Sequence, residues 1–412
     1  MRQLSFLLNR AIRSGKLTIT DYDDSVHVFG TGKDEDAAGN VSIRLTARGA
    51  SGKIARDPAL GAAEAYMEGR LEMEDGSDIY DLVKLVTYNL RWMPGNSLHK
   101  ITQQARWRTW LDGRNHARRA KRNVAHHYDL SDHLYDMFLD ANRQYSCAYW
   151  RPENTDDLGL AQNDKLAHIA AKLLLKPGMR VLDIGCGWGG MALYLNRVAG
   201  VEVLGVTLSE EQAGVARGRA EAAGVSDKVK FELIDYRAVE GPFDRIVSVG
   251  MFEHVGVPQY QTYFSKVADL LGEDGVALIH SIGRADGPGA TDSFMAKYIF
   301  PGGYVPAISE IMPKIERAQL WMTDMEILRL HYARTCEAWY QTCVQKKAEI
   351  VALYDEKFWR MWVFYLAGAA MAFRHMGQMV FQVQLAKSQS TVPITRDYIA
   401  ETERHYARLT DS

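Results

Sequence analysis

Cysteine is scarce in this chain. Cys147, Cys186, Cys336 and Cys343 are the only four in 412 residues. No two are spaced as CxxC and no secretory leader is recognisable, so free thiols in a reducing cytoplasm are predicted rather than a disulfide framework. Long apolar runs are also missing. The longest uncharged one, Met361–Phe373, falls short of the ~18–20 residues of a membrane span and reads as a buried helix of a soluble protein. A surplus of one charge is missing too: 49 Lys and Arg against 51 Asp and Glu leave a net charge of −2. The whole-molecule field therefore selects no partner, although a local patch can. No repeat, low-complexity tract, Ser-His-Asp arrangement or metal-ligand spacing occurs, and no metal is predicted.

What is present centres on Arg180-Val181-Leu182-Asp183-Ile184-Gly185-Cys186-Gly187-Trp188-Gly189-Gly190. An apolar run ends beside an acid and then meets four glycines, which predicts a buried parallel strand, a tight turn and a helix start. Glycine permits positive φ and lets a ligand approach the main-chain N–H groups. Gly185, Gly187 and Gly190 satisfy G-x-G-x-x-G, so a dinucleotide loop is one reading, and a ligand-free glycine turn is another. A nicotinamide site carries an acid after the second strand. Here that place reads Gly205-Val206-Thr207-Leu208-Ser209, while the acid, Asp183, precedes the turn. Asp-x-Gly-x-Gly-x-Gly suits S-adenosylmethionine better: the Asp183 carboxylate can orient the loop or meet the ammonium group, and the loop amides approach the carboxylate and ribose.

The length predicts two or three domains. Met1–Lys16 has leucines at helical spacing between basic residues and reads as an amphipathic surface helix. Residues 17–53 alternate apolar and polar between Asp-, Gly- and Asn-rich gaps, which predicts an antiparallel sheet. Helical patterns follow at Ala59–Met67 and Ile79–Leu90, giving a small α+β domain over 1–95. A basic linker spans 96–122. Its Arg106, Arg108, Arg114, Arg118, Arg119, Lys121 and Arg122 face one acid, Asp112, with Trp107 and Trp110 between them. Nucleic acid, an anionic lipid surface and a merely solvated face all suit such a patch. Tryptophan at a membrane interface favours lipid, and no nucleic-acid partner is predicted.

From 123 to 412 the pattern predicts an α/β domain with a doubly wound, Rossmann-like parallel sheet. Strands are predicted at Arg180–Ile184, Val201–Val206, Val229–Ile234, Phe243–Val249 and Gly275–Ile282. Helices are predicted at Leu166–Leu175, Glu210–Ala223, Tyr260–Leu270 and Lys357–Leu385, with Ser131 or Asp132 capping a shorter one. Residues 284–316 read as a lid over one end of the sheet.

Six ordered motifs then select a family. They are Tyr128-Asp129-Leu130-Ser131, Tyr145-Ser146-Cys147-Ala148-Tyr149-Trp150, Gly205-Val206-Thr207-Leu208-Ser209-Glu210-Glu211-Gln212, Ser248-Val249-Gly250-Met251-Phe252-Glu253-His254-Val255-Gly256, Ile299-Phe300-Pro301-Gly302-Gly303 and His331-Tyr332-Ala333-Arg334-Thr335. Over about 120–385 the chain closely resembles cyclopropane-fatty-acyl-phospholipid synthases, relatives of the mycolic acid cyclopropane synthases. The resemblance implies methylene transfer from S-adenosylmethionine to a cis double bond of a phospholipid acyl chain, with bound bicarbonate as base. Methylation without ring closure is the alternative.

By the same resemblance Cys147, Glu253, His280, Tyr332 and the main chain of Ile282 would hold the bicarbonate. Tyr145, Ser146, Asp183, Gly185, Cys186, Gly187, Thr207, Leu208, Gln212, Asp235 and Tyr236 would hold the cofactor. Gln212 takes the ribose role that the missing acid leaves open. Taken from the residues alone, Cys147, His280 and Tyr332 read equally well as core packing. Glu253 does not, because a carboxylate behind an apolar strand is costly to bury unpaired. The resemblance also implies a sterol-carrier-like N-terminal domain serving lipid handling and dimerisation. The enzyme would then be a cytoplasmic homodimer, peripheral to the inner face of the membrane, reaching anionic headgroups through residues 106–122. Relatives often carry a late-helix cysteine where this chain has Ala369, so a thiol there takes no part in its chemistry.

Overall fold

The computed structural model describes residues 1–32, 35–93, 131–152 and 156–410. The predicted basic patch of 106–122 and Tyr128-Asp129-Leu130 lie outside them. The chain forms two compact units. One comprises Met1–Ala105, Gly289–Pro301 and Ala333–Gln378; the other comprises Arg106–Pro288, Gly302–Tyr332 and Met379–Ser412.

The first unit carries strands β1 (Lys16–Thr20), β2 (Val26–Phe29), β3 (Asn40–Leu45) and β4 (Leu71–Glu74), in the order β2-β1-β3-β4. Leu17 and Ile19 of β1 and Val41, Ile43 and Leu45 of β3 point inward, as their alternation predicts. The sheet is mixed rather than antiparallel, because β1 and β3 run parallel with Leu17 opposite Val41. Alternation reports which face is buried and carries no information on strand direction. Helices Pro58–Met67 and Ile79–Asn89 start where Asp57 and Asp78 accept the N–H groups of Leu60 and Asp81. Part of the predicted lid belongs to this unit. The Ser293 hydroxyl donates to Asp57 at 2.8 Å, and Lys297 and Tyr298 both reach Glu64, at 2.7 and 2.9 Å.

The second unit is a seven-stranded sheet of β5 (Arg180–Ile184), β6 (Glu202–Thr207), β7 (Val229–Leu233), β8 (Phe243–Val249), β9 (Leu271–Arg284), β10 (Trp321–Leu328) and β11 (Gln378–Ala386). The order is β10-β11-β9-β8-β5-β6-β7, with β5 to β9 mutually parallel and β10 antiparallel to β11. The near-continuous apolar runs of the central strands follow from burial on both faces. Leu182, Ile184, Ile246 and Ile279 enter one core cluster, and Val181, Val203, Val247 and Leu278 enter the other.

One predicted element differs, and one strand was not expected. The helix expected over Lys357–Leu385 is the helix Glu356–His375 followed by β11, with Met376 already extended. An apolar run buried on both faces has the same signature in a helix and a strand. Strand β10 was not predicted, because most of it is only partly buried and Asp324 and Glu326 interrupt its apolar pattern. The other predicted strands and helices of this unit fall within a few residues of expectation, except that the helix predicted at Leu166–Leu175 spans Leu158–Lys172; the helices Ile308–Arg317 and Asp397–Thr410 were not predicted.

Candidate active site

The ends of β5, β6 and β8, with the turns that follow them, line one cavity. Tyr145, Ser146, Asp183, Gly185, Cys186, Gly187, Thr207, Leu208, Gln212, Asp235 and Tyr236 all line it. Sequence reasoning passed over other lining residues, including Gln144, Trp188, Met251 and His254.

The glycine turn is shaped by its own sheet. The N–H groups of Gly185 and Cys186 donate to Val206 O at 2.9 and 3.1 Å. Gly185 has φ +82°, and a Cβ there would lie 2.7 Å from Met251 Cβ, so no other residue fits without displacement. At Gly187, φ is +54° and nothing lies within 4 Å of the Cβ position, leaving room for a ligand beside the main chain.

Asp183 is 2% exposed, and its Oδ2 has no hydrogen-bond partner among the described residues. Burial pushes its carboxyl up to about 7, against the pull of the Lys165 cation. Such an orphaned anion suits a cationic ligand. Across the turn, the Thr207 hydroxyl donates to Gln212 Oε1 at 3.2 Å, and Ser209 caps the following helix by accepting the Gln212 N–H. Asp235 is held differently: Arg237 donates to both its carboxylate oxygens, at 2.8 and 2.5 Å. Burial raises the Asp235 pKa, and the Arg237 hydrogen bonds more than offset this, so it sits below the usual carboxylate range. His254 is driven by burial down to about 4 and stands neutral at pH 7.

Lys165 is the residue that sequence reasoning missed most clearly. It is fully buried on the helix Leu158–Lys172, and its Nζ donates to Gln144 Oε1 and, at 3.0 Å, to Ser146 Oγ. One helical turn earlier Gln162 Nε2 donates to the carbonyls of Gln144 and Ser146, at 3.2 and 3.0 Å. The i, i+3 spacing puts both on one face, beneath the segment carrying Tyr145 and Cys147. Burial pushes the Lys165 ammonium down to about 8, while Asp140, Cys147 and Asp183 favour its charge. Its polar neighbours Gln162, Asn163 and Asp164 left no local signal of its burial.

None of the five residues expected to hold bicarbonate lines this cavity. Glu253 follows β8 in a short turn; its Oε1 accepts the Ile282 N–H at 2.7 Å, and its Oε2 is buried with no partner among the described residues. Burial lifts this carboxyl to about 7, with the Ile282 N–H opposing the shift. The Ile282 amide is therefore engaged by Glu253 itself. His280 sits two residues earlier on the same face of β9 and is 2% exposed. Burial, with Lys165 and Lys172 adding to it, pushes its pKa well below the usual range. Cys147 is fully buried, its thiol donates to Ala148 O at 3.3 Å, and desolvation raises its pKa so that it stays a thiol. Tyr332 is 8% exposed in the first turn of the helix His331–Gln345. The segments bearing Cys147 and Tyr332 are tied together: Trp150 N–H donates to His331 Nδ1 at 2.8 Å, and the Tyr149 ring stacks on His331.

The sheet order, the glycine turn after β5 and the buried acid that precedes it define an S-adenosylmethionine-dependent methyltransferase. The sequence matches the family described as mycolic acid cyclopropane synthetase over residues 115–383. It is 38% identical to the cyclopropane-fatty-acyl-phospholipid synthase of Escherichia coli K12, covering 81% of this chain and 85% of that one. It is 37% identical to a probable fatty acid methyltransferase of Pseudomonas putida, covering 81% and 84%. The solved structure of the mycolic acid cyclopropane synthase CmaA1 complexed with SAH and CTAB superposes with a TM-score of 0.61 at 33% identity, covering 64% of this chain and 97% of that one. The chain belongs to the cyclopropane synthase family.

Proposed function

We propose that the protein transfers a methylene group from S-adenosylmethionine to the cis double bond of an unsaturated phospholipid acyl chain and closes a cyclopropane ring. The observation that carries this reading is Glu253. A buried carboxyl oxygen left without a partner costs ~1–3 kcal/mol, more when charged, so the unpartnered Oε2 retained behind β8 calls for a partner that arrives with the reaction. The family relationship and the CTAB complex of CmaA1, with its single long alkyl chain, support an acyl substrate.

Bound S-adenosylmethionine would supply an electrophilic sulfonium methyl group. The alkene π electrons form the first C–C bond as the C–S bond breaks, leaving positive charge on the acyl chain. Loss of a proton from the new methyl carbon then lets the second C–C bond form. The residues of this chain have three tasks. Asp183 meets the cofactor's ammonium group, Thr207 and Gln212 orient its ribose, and Cys147, Glu253, His280 and Tyr332 hold a base near the developing cation. A thiol S–H, a neutral imidazole and a phenol are donors that fit an oxyanion, and bicarbonate held there would supply the base. The expected main-chain ligand fits less simply, because the Ile282 N–H already meets Glu253.

A second reading, methylation without ring closure, is favoured by the Pseudomonas putida relative, described as a probable fatty acid methyltransferase. Incubation with labelled cofactor and unsaturated phospholipid vesicles, followed by analysis of the acyl esters, tests the proposal. A product heavier by one methylene unit is expected, and fragmentation separates ring from branch. Absence of any heavier product refutes it. The setting we propose is the inner membrane face, with the basic residues 106–122 on anionic headgroups, a homodimer, and lipid handling by the N-terminal residues. Among the described residues no helix is long and apolar enough to cross a membrane.

A further inference from the structure

Beside His280 runs a line of buried polar groups that the proposed chemistry does not use. His280 Nδ1 lies 3.1 Å from Gln382 Nε2 of β11. Lys172 Nζ lies 2.8 Å from Gln382 Oε1 and also donates to Glu326 of β10. Glu326 Oε2 meets His168 Nε2 at 2.6 Å, and His168 Nδ1 meets Glu403 at 3.1 Å. Glu403 accepts from Arg151 at 2.6 Å. Gln382 is 1% exposed, and Lys172 is fully buried.

The donor inventory along this line admits one arrangement. An ammonium group has donors only, so the Gln382 atom facing Lys172 is the carbonyl oxygen, and the amide orientation is settled. The other end of the amide is then NH2, which can only donate. His280 Nδ1 must therefore be an acceptor with a free lone pair. Its burial between Lys165 and Lys172 disfavours a second positive charge, so the ring is neutral and its one proton sits on Nε2.

We propose that Gln382 and Lys172 are positioning residues that fix His280 as its Nε2–H tautomer, so that this histidine offers a hydrogen-bond donor to the reaction site and does not itself accept the proton. The inference rests on the proposed function only in placing the reaction site beside His280. It assigns proton acceptance to the Glu253 side and gives His280 the work of holding an anion. In return, Glu326 and His168 keep the Lys172 ammonium in place, linking the tautomer to groups on three further elements.

The test is spectroscopic and uses the full chain. Protein labelled with 15N-histidine is examined by long-range 1H–15N correlation, with His280→Gln assigning the ring among 12 histidines. The expected result is a proton on Nε2 and none on Nδ1. In Gln382→Glu the new carboxylate accepts from the ring, and Nδ1 is expected to become protonated. Turnover is expected to fall by about 100-fold, with the Kd for S-adenosylhomocysteine held within about twofold. If Gln382→Glu does not fold, Gln382→Met keeps the volume but has no N–H, and both tautomers should appear. A proton on Nδ1 in the unsubstituted protein overturns the proposal, as does an unchanged Nε2–H tautomer in the folded variant. Absence of a methylene product would sink the functional reading alone, because the tautomer is read without substrate.

Discussion

Cofactor affinity should depend on pH through Asp183, and the size of the effect can be worked out. In the ligand-free protein the Asp183 carboxyl titrates at about 7 because it is buried with one oxygen unpartnered. A cationic ammonium group binds the ionised form, so the competent fraction is the ionised fraction. That fraction is about one half at pH 7 and roughly a tenth at pH 6, and the apparent affinity should drop about fivefold between them. A carboxyl raised from 3.8 to about 7 also costs the folded state stability as pH rises through that window, up to about 4 kcal/mol in the absence of ligand. Cofactor binding offsets part of that cost, so ligand protection against denaturant should be larger at pH 7.5 than at pH 6. The assay is calorimetric titration with S-adenosylhomocysteine from pH 5.5 to 7.5. His254, at about 4, stays neutral across the range and contributes no slope. Asp183→Asn should bind weakly and without pH dependence. Lys165→Met removes the charge that lowers the Asp183 pKa and should move the fall-off to higher pH. A flat profile in the unsubstituted protein would refute the electrostatic role given to Asp183, and a slope persisting in Asp183→Asn would assign it to another group beside the cavity, such as Lys165, lowered to about 8.

Other outcomes follow from the same geometry. Glu253→Gln should lower turnover by about 10²–10⁴ while leaving S-adenosylhomocysteine affinity unchanged, because Glu253 does not line the cofactor cavity. In the unsubstituted protein turnover should rise as pH passes about 7 and Glu253 ionises, a limb that the glutamine variant should lack. Gly185→Ala places a Cβ 2.7 Å from Met251 at positive φ, and should cost about 1–3 kcal/mol by urea unfolding together with cofactor binding. His168→Leu strips a partner from Glu326 and Glu403, both otherwise held below the usual carboxylate range against the cost of burial. With Lys172 and Arg151 still in place, the expected loss is about 2–3 kcal/mol, less than for a pair broken outright, and it should shrink as pH falls and the carboxyls protonate. Charge reversal at Arg118 and Arg119 should weaken binding to anionic vesicles at fixed salt and leave cofactor affinity alone; tighter binding to DNA than to vesicles would reverse that reading.

Much of the second unit was legible from residue order. Strands β5, β6 and β8 announce themselves because burial demands apolar runs such as Val181-Leu182-Asp183-Ile184, β7 shows in the alternation of Val229-Lys230-Phe231-Glu232, and the glycines after Ile184 mark a tight turn. The motifs around Cys147, Glu253 and Tyr332 declared the family before any fold was drawn. Local patterns could not report strand direction, so the parallel pairing of β1 with β3 went unseen. Nor did they show where the helix after Glu356 gives way to strand at Met376, because both elements are rich in apolar residues, although the exposed Arg374 and Gly377 mark the change.

The electrostatic character of the site belongs to the tertiary structure alone. Asp183 and His280 take their protonation from desolvation and from Lys165 and Lys172 on the helix Leu158–Lys172, and Glu253 takes its own from desolvation and the Ile282 N–H. Gln382 meets His280 across 102 residues, and only the packing of β9 against β11 decides which ring nitrogen carries the proton. A sequence determines which groups exist. Their charge depends on distance and dielectric, and those quantities exist only in the folded chain.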